Sequence, residues 1–212
     1  MSIKENLLSI KSSLPERVTL VAVSKTKPIS DLMEAYNAGQ RIFGENKIQE
    51  MTEKWEQMPK DIQWHMIGHI QTNKVKFMAP YVSLIHGVDS LKLLEEINKQ
   101  AKKNNRKIDC LLQIHIAEEE TKFGLNEQEL NELLKSESYN NLNHIRIVGL
   151  MGMATFTINQ NQLKNEFEHL KSIFDQLQNL NILSMGMSGD YQLAIECGST
   201  MVRIGSSIFG GR

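Results

Sequence analysis

The chain has 212 residues, of which 41% are hydrophobic and 23% charged, and its formal net charge is −1 at pH 7. This length predicts a single domain over residues 1–212 with a large core, and the balanced charge argues against a nucleic-acid-binding surface. We find no apolar run of membrane-spanning length and no signal-peptide core. Cys110 and Cys197 lie far apart without metal-like spacing. We therefore expect a cytoplasmic protein with neither a membrane nor a nucleic-acid partner.

Strand-like apolar segments alternate with helical patterns along the chain. Ser2 is a suitable cap for a first helix that ends before Pro15. We expect Asn46, and either Asp89 or Ser90, to cap later helices. The eight predicted strands are residues 20–28, 41–45, 63–68, 82–86, 108–116, 145–151, 182–186 and 201–205. This alternation predicts an α/β fold, a closed (β/α)₈ barrel of the TIM type with one extra N-terminal helix. The alternative is an open doubly wound sheet.

The first predicted strand, LVAVSKTKP at residues 20–28, carries a lysine at its carboxyl end. Because strand side chains alternate between faces, Val21, Val23 and Lys25 share one face. Ligands of α/β proteins bind at this end of the strands, where a lysine can attack a carbonyl and form a Schiff base. The alternative is a lysine that simply leaves the sheet for water. Lys27 has the same parity, but it precedes Pro28 and we expect it outside the barrel.

Two loops rich in glycine and serine follow the seventh and eighth predicted strands, SMGMSGD at residues 184–190 and RIGSS at residues 203–207. Barrels often bind phosphate in these two loops, where glycines let the backbone approach and Ser188 and Ser206 add donors. Arg203 interrupts an apolar strand and is expected to point toward the barrel mouth. The alternative is a structural arginine paired with an acidic neighbour.

The histidines carry weaker signals. His65 and His69 have zinc-like spacing, but they fall on a strand broken by Gly68, so we expect no metal site. We interpret His86 and His115 as hydrogen-bonded strand residues rather than a catalytic pair. The sequence contains no Gly-x-Ser-x-Gly elbow, so we predict no catalytic serine triad and no catalytic residue.

Together these motifs resemble a known family. They are AVSKTKP at 22–28, FGEN at 43–46 with QE at 49–50, WHMIG at 64–68 with QTNK at 71–74, LSMGMSGD at 183–190 and VRIGS at 202–206. In this order they look like the pyridoxal phosphate homeostasis proteins, single-domain relatives of the N-terminal barrel of alanine racemase. The resemblance runs nearly end to end. One departure is His69-Ile70, where many members have Pro-Leu.

The resemblance implies a cofactor, pyridoxal 5′-phosphate, held by seven residues. Lys25 would carry it as an internal Schiff base, and Arg203 would face the pyridine nitrogen. The phosphate would be held by Ser188, Gly205 and Ser206, and the ring would be lined by Asn46 and Met151.

The same resemblance implies a role in vitamin B6 balance without catalytic turnover, with the cofactor passed on to apo-enzymes that depend on it. A cationic arginine disfavours protonation of the pyridine nitrogen and weakens the ring as an electron sink. Racemases of this type also use a second base from another domain, which we expect this chain to lack. The alternatives are a weak amino-acid racemase, with Tyr191 as the candidate base, and a Schiff-base aldolase acting on a phosphorylated sugar.

Overall fold

A computed structural model describes residues 2–119 and 123–211 of the chain. Within these residues, eight parallel strands close into a barrel in chain order, and β1 pairs with both β2 and β8. The closed order confirms the predicted (β/α)₈ barrel and rejects the open sheet. The strands are β1 (Thr19–Val23), β2 (Ile42–Glu45), β3 (Gln63–Met66), β4 (Leu84–Val88), β5 (Ile108–Ile114), β6 (Ile145–Gly152), β7 (Ile182–Ser184) and β8 (Met201–Ile204).

The helices surround this barrel, and the first of them is the predicted extra helix, which Ser2 and Glu5 cap reciprocally. They are α1 (Ile3–Ser13), α2 (Ile29–Asn37), α3 (Ile48–Gln57), α4 (Val75–Met78), α5 (Leu91–Lys103), α6 (Glu127–Lys135), α7 (Glu137–Asn140), α8 (Gln160–Gln176), α9 (Tyr191–Glu196) and α10 (Ser206–Phe209). Ser90 caps α5 as predicted. The prediction that Asn46 caps a helix is wrong, because Lys47 occupies the position before α3 and makes no side-chain cap bond.

Two apolar clusters follow the alternation of strand side chains. Leu20 and Ala22 belong to the large cluster between barrel and helices, whereas Val21 belongs to a second, smaller cluster. The second cluster therefore fills the barrel interior. Its buried members are Val21, Leu84, Leu111, Val148, Met151 and Met201. No helix among the described residues is both long and apolar enough to cross a membrane.

The strand β1 is shorter than predicted, ending at Val23 rather than at Pro28. The Ser24 N–H still donates to the carbonyl of Gly44, at 3.1 Å. Thr26 then adopts a positive φ of 63°. Because an L-residue in the left-handed region cannot continue a strand, Lys25 lies in the turn that follows β1.

Candidate functional site

A cavity of about 770 Å³ opens at the carboxyl end of the barrel. The loops that follow β1, β2, β3, β5, β6, β7 and β8 all contribute to its lining. The fold thus brings together most of the residues that the sequence singled out. Those in the lining are Lys25, Asn46, Ser188, Arg203, Gly205 and Ser206.

Met151 is placed differently from the other predicted site residues. It is fully buried in the interior cluster and is absent from the described cavity lining. Met153, two residues further along the chain, is in the lining. The alternation of strand side chains puts both methionines on one face, but it does not say how deep each lies.

Lys25 and Lys27 both line the cavity, and they differ in their partners. Lys25 is half-buried, and its ammonium has no hydrogen bond or ion pair among the described residues. The Nζ atom of Lys27 donates to the carbonyls of Phe209 and Gly211, at 3.0 Å each. The expectation that Lys27 lies outside the barrel is therefore wrong. Its amine is held by the backbone, whereas that of Lys25 has no partner within residues 2–119 and 123–211.

Arg203 is 4% exposed and reaches the cavity from β8. Its Nη1 donates to the carbonyl and hydroxyl of Ser184, at 2.9 and 2.7 Å, and its Nη2 to the carbonyl of Gly152, at 3.1 Å. Its hydrogen bonds among the described residues thus go to these neutral groups, and Asp190 contributes only longer-range attraction. Burial lowers the pKa of Arg203 to about 10, so the guanidinium remains a cation at neutral pH.

A chain of buried hydrogen bonds continues from Arg203 across the barrel. The Ser184 hydroxyl accepts from Arg203, so its single proton is left for Nδ1 of His86, at 3.1 Å. The Nε2–H of His86 then donates to Nδ1 of His65, at 3.0 Å. Burial lowers the pKa of His65 to about 3 and that of His86 well below its ordinary value. Both rings are therefore neutral, and His86 is a hydrogen-bonded strand histidine as predicted.

The loops after β7 and β8 are joined to each other at the cavity wall. The Gly205 N–H donates to the Ser188 hydroxyl, at 3.2 Å. A Cβ at position 205 would lie 3.1 Å from the carbonyl oxygen of Val23, so the loop after β8 packs closely on β1. The backbone N–H groups of four residues in these loops have no acceptor within the part of the chain that the structure describes: Ser188, Gly189, Ser206 and Ser207. These loops thus present unused donors, as an anion site requires.

The opposite rim of the cavity is apolar and exposed. The ring of His69 stacks on Phe123 with 4.1 Å between the ring centroids. Phe156 is 93% exposed and Ile158 is 96% exposed, although Phe156 belongs to the cavity lining. The base of their loop is fixed, since the Thr155 N–H and hydroxyl both donate to Glu166, at 2.7 and 2.6 Å. Among the described residues, no group of histidine, cysteine and acidic side chains is suited to hold a metal ion.

Sequence reasoning missed a buried ionic cluster behind the Lys25 turn, which we call the Glu45 cluster: Ser24, Glu45, Glu50 and Lys54. The ammonium of Lys54 donates to carboxylate oxygens of Glu45 and Glu50, at 2.7 Å each, and to the Ser24 carbonyl, at 2.8 Å. The Ser24 hydroxyl donates to Glu45, at 2.6 Å. Burial raises the pKa of Glu45, and Lys54 opposes that rise. The four-residue spacing of Glu50 and Lys54 is the one sequence signal for this cluster.

Comparisons with known proteins agree with this architecture. The family model described as "Alanine racemase, N-terminal domain" matches residues 1–212. A pyridoxal phosphate homeostasis protein of Haemophilus influenzae is 41% identical over 204 residues, which cover 92% of this chain and 85% of that protein. One of Schizosaccharomyces pombe is 42% identical over 209 residues, covering 95% of this chain and 87% of that protein.

Solved structures show the same fold. PipY of Synechococcus elongatus, determined with pyridoxal phosphate bound, superposes with a TM-score of 0.90 at 35% identity, covering 99% of this chain and all (100%) of that one. The alanine racemase of Bartonella henselae superposes with a TM-score of 0.78 at 18% identity, covering 99% of this chain and 58% of that one. At that identity, the racemase supports the barrel fold alone.

Proposed function

The chain belongs to the pyridoxal phosphate homeostasis protein family, and from this premise we propose that it binds pyridoxal phosphate in the barrel cavity and serves in vitamin B6 homeostasis. The observation that carries the proposal is the free amine of Lys25, which lines one cavity with unused backbone donors and a buried arginine. Pyridoxal phosphate has a matching aldehyde, phosphate and pyridine nitrogen.

The donor set of the cavity fits each part of that molecule. Lys25 would hold the aldehyde as a Schiff base, because its amine has no partner among the described residues. The phosphate would bind Ser188, Gly205 and Ser206, where the loops after β7 and β8 meet. Arg203 would face the pyridine nitrogen and Asn46 the ring. Met151 would support the ring from the barrel interior, beneath Met153.

We further propose that the protein holds the cofactor without catalytic turnover. Bound pyridoxal phosphate supplies an electron sink, and a cationic Arg203 disfavours the protonated ring that makes this sink strong. Lys27 and Asp190 both line the cavity, but each is already bound to backbone groups. Tyr191 packs against the outer core and is not in the described lining, which gives a racemase no tyrosine base there.

A carrier role follows from these features. The protein would keep a reactive aldehyde masked on Lys25 and release it to apo-enzymes that depend on pyridoxal phosphate. The curated relatives reported above are likewise named for homeostasis rather than for a reaction. Multiple-turnover racemisation of an amino acid by the pure protein would contradict the carrier role and favour the racemase alternative.

The decisive test is the absorbance spectrum of the purified protein with added pyridoxal phosphate. We expect a violet Schiff-base band in the wild type, its loss in Lys25→Ala, and its retention in the matched control Lys27→Ala. Borohydride reduction followed by peptide mass spectrometry should place the label on Lys25. A band that survives in Lys25→Ala would show that another lysine forms the Schiff base. Absence of a band in the wild type would reject the cofactor itself and favour the aldolase alternative.

A further inference from the structure

The Glu45 cluster lies directly behind the turn that presents Lys25. Gly44 faces the barrel interior, since a Cβ there would meet the Val21 side chain at 2.8 Å. The neighbouring Glu45 therefore points the other way, toward α3, where it meets Lys54. We propose that Glu45, Glu50 and Lys54 are positioning residues that hold the turn in the shape that aims Lys25 into the cavity. This inference rests on the proposed function of Lys25.

The cluster holds the backbone on both sides of Lys25. On one side, Ser24 is bound through its carbonyl to Lys54 and through its hydroxyl to Glu45. On the other side, the Thr26 N–H donates to Oε1 of Glu50, at 2.6 Å. The same oxygen of Glu50 accepts from Lys54, so a single ionic network fixes both neighbours of the lysine.

The conformation of the turn shows why it needs support. Thr26 has φ of 63°, in the left-handed region that a β-branched residue rarely adopts. Such a conformation persists only where surrounding contacts determine it. Two contacts support it: the short bond from the Thr26 N–H to Glu50, and the bond of the turn itself from the Lys27 N–H to the Ser24 carbonyl, at 3.1 Å. Without the bond to Glu50, the turn is expected to relax and carry Lys25 away from its present direction.

The composition of the cluster also suits a positioning role. Glu45 and Lys54 are buried, and a buried ion pair often contributes no more to net stability than an apolar pair of similar volume. Of the cluster's charged side chains, Glu50 is the most exposed at 23%, and it can be changed with least harm to the core.

The test compares Glu50→Ala and Glu50→Gln in the full chain, with pyridoxal phosphate as the probe and the Schiff-base band as the readout. For Glu50→Ala, we expect the dissociation constant to rise about tenfold, the lower end of the loss seen when a residue that orients a metal ligand is removed. Glu50→Gln keeps an oxygen that accepts from Thr26 and should restore most of the affinity. Thr26→Gly removes the strain of a β-branched residue at positive φ, so it should keep wild-type affinity and, combined with Glu50→Ala, should recover part of the lost affinity.

The matched control is Asp109→Asn, which breaks the ion pair of Asp109 with Arg146 at the opposite end of the barrel. It should leave the dissociation constant and the spectrum unchanged. A second readout is the distribution of borohydride label, which should shift from Lys25 toward other lysines in Glu50→Ala. Wild-type affinity and labelling in Glu50→Ala would overturn the positioning role while the proposed function stood. A wild type without any band would overturn both.

Discussion

The two halves of the cavity mouth are built in opposite ways. We call one the anchoring half: the turn at residues 24–27 and the loops at residues 186–190 and 205–207. Ionic and backbone hydrogen bonds fix it, and it carries the cations and the free donors. The open half is formed by His69, Phe123 and residues 153–158, with two apolar side chains almost wholly exposed. With pyridoxal phosphate bound as proposed, one half would grip the ligand and the other would leave it accessible.

The largest expected effect comes from the Glu45 cluster, which supports the anchoring half. Lys54→Met leaves Glu45 buried without its cation, and breaking a buried pair in this way costs about 3–5 kcal/mol of unfolding free energy. Denaturation in urea measures it. The control is Lys99→Met, whose exposed pair with Glu96 should matter by at most about 1 kcal/mol. Equal effects of the two variants would show that the cluster contributes no more than a surface pair.

The second-largest expected loss of unfolding free energy comes from changing a glycine of the anchoring half. Gly186 has φ of 96°, and a Cβ there would lie 2.7 Å from that of Ala194 and 2.9 Å from Cα of Tyr191. Gly186→Ala should therefore cost about 1–3 kcal/mol of unfolding free energy through backbone strain alone, and it should weaken pyridoxal phosphate binding.

The control for this change lies three residues further on in the same loop. At Gly189, an added Cβ would meet nothing within 4 Å. Gly189→Ala should leave the unfolding free energy close to that of the wild type. Similar losses in the two variants would mean that the loop does not depend on the tight packing at Gly186.

The buried histidines beneath the cavity predict a pH dependence of stability. Burial lowers the pKa of His65 from 6.5 to about 3, so between these values the unfolded chain binds the proton and the folded chain does not. Stability from this group is complete above pH 6.5 and falls as the pH drops toward 3, by at most about 1.4 kcal/mol per pH unit.

The change His65→Gln should flatten this slope, because glutamine does not titrate yet still offers an oxygen to the Nε2–H of His86. The exposed His169 provides the matched control, and His169→Gln should retain the wild-type slope. Urea denaturation at successive pH values measures both. An unchanged slope in His65→Gln would show that His65 is not the titrating group.

The smallest effect is expected in the open half. The double change Phe156→Ser and Ile158→Ser should alter unfolding free energy by no more than about 0.5 kcal/mol, because these side chains bury almost nothing. Affinity for pyridoxal phosphate should stay within twofold of the wild type, since the gripping contacts lie across the cavity. A large loss of affinity would erase the distinction between the halves.

The sequence predicts the barrel well because strand and helix periodicity are local signals. The cap at Ser2 and the loops after β7 and β8 are equally local, and the structure places them as expected. The error at Asn46 is local too: its side chain is suited to a cap, but the residue lines the cavity and α3 starts one position later.

The features that sequence reasoning could not reach depend on three-dimensional packing. Glu45 and Lys54 meet only because α3 packs against β2, and alternation along one strand does not reveal the helix that covers it. The depth of Met151 relative to Met153 depends on the register of β5 against β6, which shifts between Cys110 and Leu111. The hydrogen bond from Lys27 to the carbonyl of Phe209 forms only because α10 lies next to the turn after β1.

The pairing of β1 with β8 also bears on how the protein is made. Lys25 leaves the ribosome long before Arg203, Ser206 and the carbonyl of Phe209 that holds Lys27. The side-chain amide of Asn6 in α1 donates to the carbonyl of Ile208, at 3.1 Å, and this bond likewise forms only after Ile208 has been synthesised. Contacts so distant in sequence form late in folding. A nascent or truncated chain would therefore display the lysine without its pocket, and binding competence would appear only when the barrel closes.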